Sequence, residues 1–435
     1  MNKKTLNRKK TFLIIWVLLL LGAVFLLNRY FNGKTEVEYT KYLVIGKENV
    51  FVVYDDKIQD IDTLTNIEKK YPNIEITKLP KNSVLMPGLI NSHVHLEFSA
   101  NTTTLKYGNF YNWLNSVIKF RDDLITKATK KLIATKLDRM KKTGTTTIGA
   151  ISSYSYDLEA CVQSPINTVF FCEVIGSKGD MIDTLFADFK DRLNIAKKHK
   201  SKSFIPAIAI HSPYSVHPFL VRETLNLARQ EELAVSSHFL ESKEELEWLH
   251  KDEGSFLEFF KNFLNQEKAV SKPMEFLNLF SNVKNLSFTH CVEASKADLE
   301  KIKSLGASIN HCVTSNRFLN NTKLDLTKLN DIPFTIGTDG LSSNNSLSMF
   351  DELRNALMAH SNENIIEFSR TLIKAATVNA SGALGLNKGA IIKDLDADMI
   401  AFTLPDEIQE KEDLAMQIIL HTKFVDKVII GGEFV

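Results

Sequence analysis

Cysteine is scarce in this chain and neither charge is in excess. The four cysteines, Cys161, Cys172, Cys291 and Cys312, are too few for a disulfide scaffold, and no C-x-x-C pair is present to hold structural zinc. Lys+Arg 53 against Asp+Glu 52 leaves a net charge of +1, so no basic field neutralises phosphates and nucleic-acid binding is disfavoured. No G-x-G-x-x-G follows the first strand-like run, which tells against a doubly wound dinucleotide-binding sheet. Internal repeats and low-complexity tracts are missing as well. What is there is a chain of 435 residues, 44% hydrophobic and 24% charged, close to the globular average. That length suits a large barrel with a minor domain, or ~3 smaller domains.

One apolar run stands apart. Thr11 to Leu27 is 17 residues without a charge, preceded by Lys3, Lys4, Arg8, Lys9 and Lys10. A helix of that length just crosses a hydrocarbon core of ~30 Å, so residues 1–35 are expected to form a basic segment and a single-pass membrane anchor. A cleaved signal peptide is the competing reading, but its apolar core is usually ~7–15 residues and an A-x-A-like site is missing. The basic residues ahead of the segment favour a cytoplasmic N-terminus and place the rest of the chain outside the cytoplasm.

Both ends of the remaining chain are strand-rich. KYLVIG, NVFVVY and IEITKL precede residue 81, and GAIIKD, ADMIAFTL and VDKVIIGGEFV close the chain. Residues 36–86 and 389–435 are therefore expected to build one small β-sandwich domain together. Between them, over 87–388, short apolar runs alternate with amphipathic ones, the pattern of parallel βα units. Eight strands are expected near 83–96, 144–152, 166–176, 204–212, 233–241, 286–292, 306–313 and 334–341. The fold class is α/β, a (β/α)₈ TIM-type barrel with its active site at the C-terminal strand ends.

Chemistry-bearing residues collect at those ends. His93 and His95 form an H-x-H whose period of two points both imidazoles to one face, where they can chelate one ion. His211, His238, His290 and Asp339 end the fourth, fifth, sixth and eighth strands, and Glu241 follows His238 by three residues. A single core histidine is the ordinary reading of any one of them; five histidines with two carboxylates at one rim have no comparable structural explanation. Three histidines and a carboxylate suit Zn²⁺ or Fe²⁺, whereas Mg²⁺ and Ca²⁺ prefer oxygen. Such an ion lowers the pKa of bound water to ~7. The fourth strand lacks the lysine that two-metal barrels often carboxylate, so one metal is expected.

The runs MPGLINSHVHLEF, HSPYSVHP, SHFLES, THC, TSN and GTDGLSSNNSLSMFDELR resemble the amidohydrolase superfamily, in its branch of adenosine-type and triazine deaminases and chlorohydrolases. The likeness runs from about Lys41 to Val435. Within that branch LEFSANTTTLKYGNFYNWLNSVI, HFLESKEELEWL and ILHTKFVDKVIIGG look most similar to aminofutalosine deaminases of menaquinone biosynthesis. The resemblance implies a hydrolase of C–N bonds that deaminates the adenine ring of a nucleoside-like small molecule. It assigns His93, His95, His238 and Asp339 as metal ligands, Glu241 as the proton shuttle and His290 as the residue orienting the attacking water. His211 would contact substrate, as would Trp113 and Asp122, for which a packed helix residue and a solvated helix charge are the competing readings. Arg317 is the candidate cation for the substrate's benzoate, against a surface salt bridge. His311 stays outside the site, and Cys291 and Cys312 point away from it. A homo-oligomer is compatible with all this. The family's chemistry is cytoplasmic, in tension with the anchor. Two rival readings are a hydrolase of another amino- or chloro-substituted heterocycle and a tethered non-catalytic binding protein.

Overall fold

The computed structural model describes residues 44–45 and 50–435. Near the start, β1 (Val44–Ile45) is followed by β2 (Val50–Tyr54), β3 (Ile58–Thr63) and β4 (Ser83–Pro87). The barrel strands come next: β5 (Leu89–Val94), β6 (Thr145–Ser152), β7 (Asn167–Val174) and β8 (Phe204–Ile210), then β9 (Val235–Phe239), β10 (Leu286–His290), β11 (Ser308–His311) and β12 (Phe334–Ile336). The chain closes with β13 (Met399–Thr403), β14 (Lys427–Ile430) and β15 (Glu433–Phe434).

Strands β5 to β12 lie side by side in chain order, every pair parallel, in one nearly closed barrel. All eight expected barrel strands are present. The connecting helices bury one stripe each. The helix Ile182–Lys197 packs Phe189, Leu193 and Ala196 inward, and Pro218–Glu231 starts with proline in its first turn and buries Leu220, Val221, Leu225 and Ala228. No strand ladder joins β12 to β5 among the described residues. Side chains and one backbone bond close that seam: Ser92 Oγ donates to Ile336 O (2.9 Å), Asn91 Nδ2 to Thr338 Oγ1 (2.7 Å), and Asp339 N to His93 O (3.1 Å).

The barrel lumen holds two kinds of filling. Ile90, Ile151, Val169, Phe171, Ala207 and Ala209 form an apolar cluster. Elsewhere a buried polar chain runs from Ser92 to Thr335 (2.7 Å), to Asn310 (2.7 Å) and on to Thr289 (3.0 Å). Satisfied in this way, those groups avoid the cost of burying unpaired donors and acceptors.

Strands from both chain ends form a five-stranded antiparallel sheet in the order β1-β4-β13-β14-β15. The hairpin β2-β3 lays Val52, Tyr54, Ile58 and Ile61 against Leu85, Met399 and Ile429 of that sheet.

Several expectations need correction. The run near 83–96 is two strands in two sheets, split at Gly88. A Cβ there would lie 2.1 Å from Thr146 Oγ1, so only glycine lets the chain pass between the layers. IEITKL is not a strand: Ile74 and Ile76 are half-buried and Glu75 exposed, but no strand pairs with it among the described residues. IQDIDT is the strand instead, with Asp60 paired to Lys70 of the helix Leu64–Lys70. GAIIKD is a loop that tucks Ile391 under Met399. The membrane placement is also withdrawn. No helix among the described residues is long and apolar enough to cross a membrane, and the run 11–27 itself lies outside them.

Candidate metal centre and active site

His93 lies near the end of β5 and His95 just follows the strand, which brings both rings to the barrel mouth with centroids 5.0 Å apart. His238, near the end of β9, completes a trio whose nitrogens all lie within 4.8 Å of one another. His95 Nε2 is 3.3 Å from His238 Nε2. Asp339, just beyond β12, places Oδ1 3.6 Å from His95 Nε2 and 3.9 Å from His93 Nε2.

The protons of these rings are set from behind. His238 Nδ1 lies 2.9 Å from His211 O, and a carbonyl can only accept, so Nδ1 carries the hydrogen and Nε2 presents a lone pair. His93 Nδ1 is 3.2 Å from Thr289 Oγ1, the end of the buried polar chain, while its Nε2 is buried without a partner. That partnerless nitrogen, turned toward two imidazoles and a carboxylate, fits a divalent cation. Burial, with His238 and His95 close by, holds His93 neutral well below the usual histidine range, and burial holds His238 at about 3. Neutral imidazole is the form that ligates metal.

Asp339 is fastened at Oδ2 by Ser315 Oγ (2.7 Å) and Ser343 Oγ (2.8 Å), and Gly340 N donates to Oδ1 (2.8 Å). Burial opposes its ionisation, yet the facing histidines hold it well below the usual carboxylate range. Its φ is +58° and that of His290 is +71°, conformations that cost non-glycine residues of order 1–3 kcal/mol and that aim both side chains inward.

Glu241 follows β9 and is buried. Its backbone N donates to Glu245 Oε2 (2.8 Å), and Leu240 N donates to Glu245 Oε1 (3.1 Å), so Glu245 pins the turn that carries it. Burial, then the charge of Asp339, pushes the Glu241 carboxyl well above its usual range. His290 Nε2 sits 3.5 Å from Glu241 Oε2.

The structure thus brings together His93, His95, His211, His238, Glu241, His290 and Asp339. His211 is buried, with ring centroids 5.1 Å from His238 and Nδ1 2.6 Å from Ser215 Oγ. Trp113 donates from Nε1 to Ser342 O (2.8 Å), tying the helix Phe110–Lys127 to the loop after Asp339. Asp122 does not join them. Its side chain is 89% exposed and paired with Arg121, a solvated helix charge. Arg317 is exposed next to the buried Asn316, without an ion pair among the described residues. His311 is occupied by His360 at 3.0 Å. Sequence reasoning passed over Glu173, a carboxylate near the end of β7 whose oxygen lies within 4.8 Å of His211 and His238 nitrogens. Its signal was a lone acid in the apolar run FFCEVIG.

The chain belongs to the amidohydrolase family, which matches residues 84–435. Among relatives it is 46% identical over 382 residues to the aminodeoxyfutalosine deaminase of a Nitratiruptor species, covering 88% of this chain and 94% of that one. It is 35% identical over 395 residues to the adenosine deaminase of Helicobacter pylori, covering 89% and 94%. The crystal structure of Helicobacter pylori aminofutalosine deaminase in complex with methylthio-coformycin superposes with a TM-score of 0.84 at 32% identity, covering 89% and 95%.

Proposed function

We propose that this chain is a metal-dependent hydrolytic deaminase that converts aminodeoxyfutalosine to futalosine and ammonia, a reaction of menaquinone biosynthesis. One observation carries the reading: a histidine trio and Asp339 converge beside the buried Glu241, whose carboxyl is raised above its usual range by burial, in a chain 46% identical to an aminodeoxyfutalosine deaminase. The barrel, 87–388, carries the chemistry, and the described part of the composite unit, within 44–86 and 389–435, braces it.

His93, His95, His238 and Asp339 would hold one ion, Zn²⁺ or Fe²⁺, as their nitrogen-rich donor set favours. When bound, such an ion acts as a Lewis acid that lets a water lose its proton near neutral pH. Glu241 takes that proton and delivers it to the ring nitrogen beside C6. Its raised pKa suits a group that must hold a proton between two transfers. His290 orients the attacking water from the other side of Glu241. Once oxygen has added to C6, Glu241 carries the remaining hydroxyl proton to the amino group, the C6–N bond breaks, and ammonia leaves behind a C6 carbonyl. His211 and Trp113 border the substrate, and Arg317 is the cation proposed for its benzoate.

The test is direct. Metal-loaded protein is mixed with aminodeoxyfutalosine and, separately, with adenosine, and the adenine-to-hypoxanthine absorbance change is followed. Fast conversion of the first is expected; no conversion by a metal-loaded protein overturns the substrate. Glu241→Gln should retain metal and lose turnover by about 10³-fold or more, since the shuttle is removed while the ligands stay.

A further inference from the structure

We propose that Glu173 binds the substrate's sugar, accepting a hydrogen bond from the 2′-hydroxyl of the nucleoside. This rests on the deaminase reading above and deepens it.

Glu173 lies near the C-terminal end of β7, on the rim that carries the metal residues, and is 1% exposed. Its two oxygens differ. Ser153 Oγ donates to Oε2 at 2.5 Å and fixes the carboxylate plane, whereas Oε1 is buried without a hydrogen-bond partner among the described residues. No cation neutralises the group among the described residues. The nearby Arg192 reaches only the main-chain oxygen of Glu173 (2.8 Å) and pairs with Asp188. A buried acceptor left in this state is costly unless a ligand supplies the donor.

Glu173, His211 and His238 could be read as a second metal trio. His238 rules against that. Its Nδ1 is spent on the His211 carbonyl and its Nε2 faces His95, so it has no lone pair for another ion. The missing partner is therefore a hydrogen-bond donor. An adenine nucleoside offers donors only at its 6-amino group and its sugar hydroxyls. The amino group is the one that leaves, and it must face Glu241 and the histidine trio. The hydroxyls remain, and a carboxylate oxygen this close to His238 reaches the one vicinal to the base first.

The test is binding of coformycin and 2′-deoxycoformycin, which differ only at that hydroxyl, to metal-loaded full-length protein by calorimetry. The wild type should bind coformycin about ten-fold or more tightly over its deoxy partner, as expected for a hydrogen bond to a charged acceptor. Glu173→Ala should weaken coformycin about ten-fold and leave 2′-deoxycoformycin within about two-fold, so the preference disappears. Glu173→Gln keeps the shape and loses the charge, and should remove part of the preference while metal content and thermal midpoint stay at wild-type values. A wild type without preference, or variants that keep it, overturn the assignment of Glu173. A metal-loaded wild type that binds neither compound overturns the deaminase reading itself, a distinguishable result.

Discussion

His290 stands between Asn316 and Glu241. Its Nδ1 is 2.9 Å from Asn316 Oδ1, so that nitrogen donates, and its unprotonated Nε2 faces Glu241 Oε2 at 3.5 Å. The tautomer that can accept a proton from Glu241 is thus chosen by an amide on the next strand's helix. Asn316→Ala should lower kcat by about ten-fold or more with little change in KM, because orientation is lost and binding is not. Asn316→Asp, which keeps the acceptor oxygen, should recover much of the rate. A rise in KM alone would show that Asn316 contacts substrate instead.

His238 is expected to be indispensable for the ion. His238→Ala should purify with less than about a tenth of an equivalent of metal, measured by elemental analysis, because a three-ligand remnant binds far more weakly. Stoichiometric metal in that variant would remove His238 from the ligand set. In the wild type, a chelator should lower the thermal midpoint as the ion's binding energy is withdrawn.

Glu352 makes stability depend on pH. Burial pushes its carboxyl up to about 7, against the lowering effect of bonds from Thr314 and Asn344. The folded chain then holds a proton that the unfolded chain, near 4.5, has released, so the contribution of Glu352 to stability is fullest below pH 4.5 and declines as pH rises through 7. The full effect is on the order of 3 kcal/mol. Glu352→Gln should remove that contribution and change the slope of denaturation midpoints between pH 4.5 and 7, and an unchanged slope would contradict this account.

Gly88 should tolerate no side chain. In Gly88→Ala the new methyl meets the Thr146 side chain at 2.1 to 2.6 Å, so the strands must part. A loss of about 1–3 kcal/mol is expected by denaturant unfolding, with Gly88→Ala/Thr146→Ser recovering part of it.

Much of this was legible in the sequence, for identifiable reasons. The barrel strands are buried on both faces and so read as continuous apolar runs, and a candidate site residue at a strand end is visible because it interrupts one, as His238 and His290 do. Strand pairing in the small sheet was harder. Asp60 and Asp62 disguise β3, while IEITKL has the right alternation and no partner, and alternation records burial but never the neighbour. Spacing along one helix misplaced Asp122, because a nine-residue offset does not say which face points inward. Glu173 was missed because an acid in a strand reads as an exposed edge until the barrel closes around it.

The small sheet sets an order on folding. Ser83 in β4 meets Thr403 in β13 across 320 residues of chain, and β4 passes through Gly88 straight into β5, which carries His93. During synthesis β1 and β4 leave the ribosome long before β13 exists, so the β4–β13 ladder can form only after the whole barrel segment has been made. The strand that delivers the H-x-H is therefore held by β6 on one side and, through Gly88, continues from a ladder that only the C-terminal strands complete.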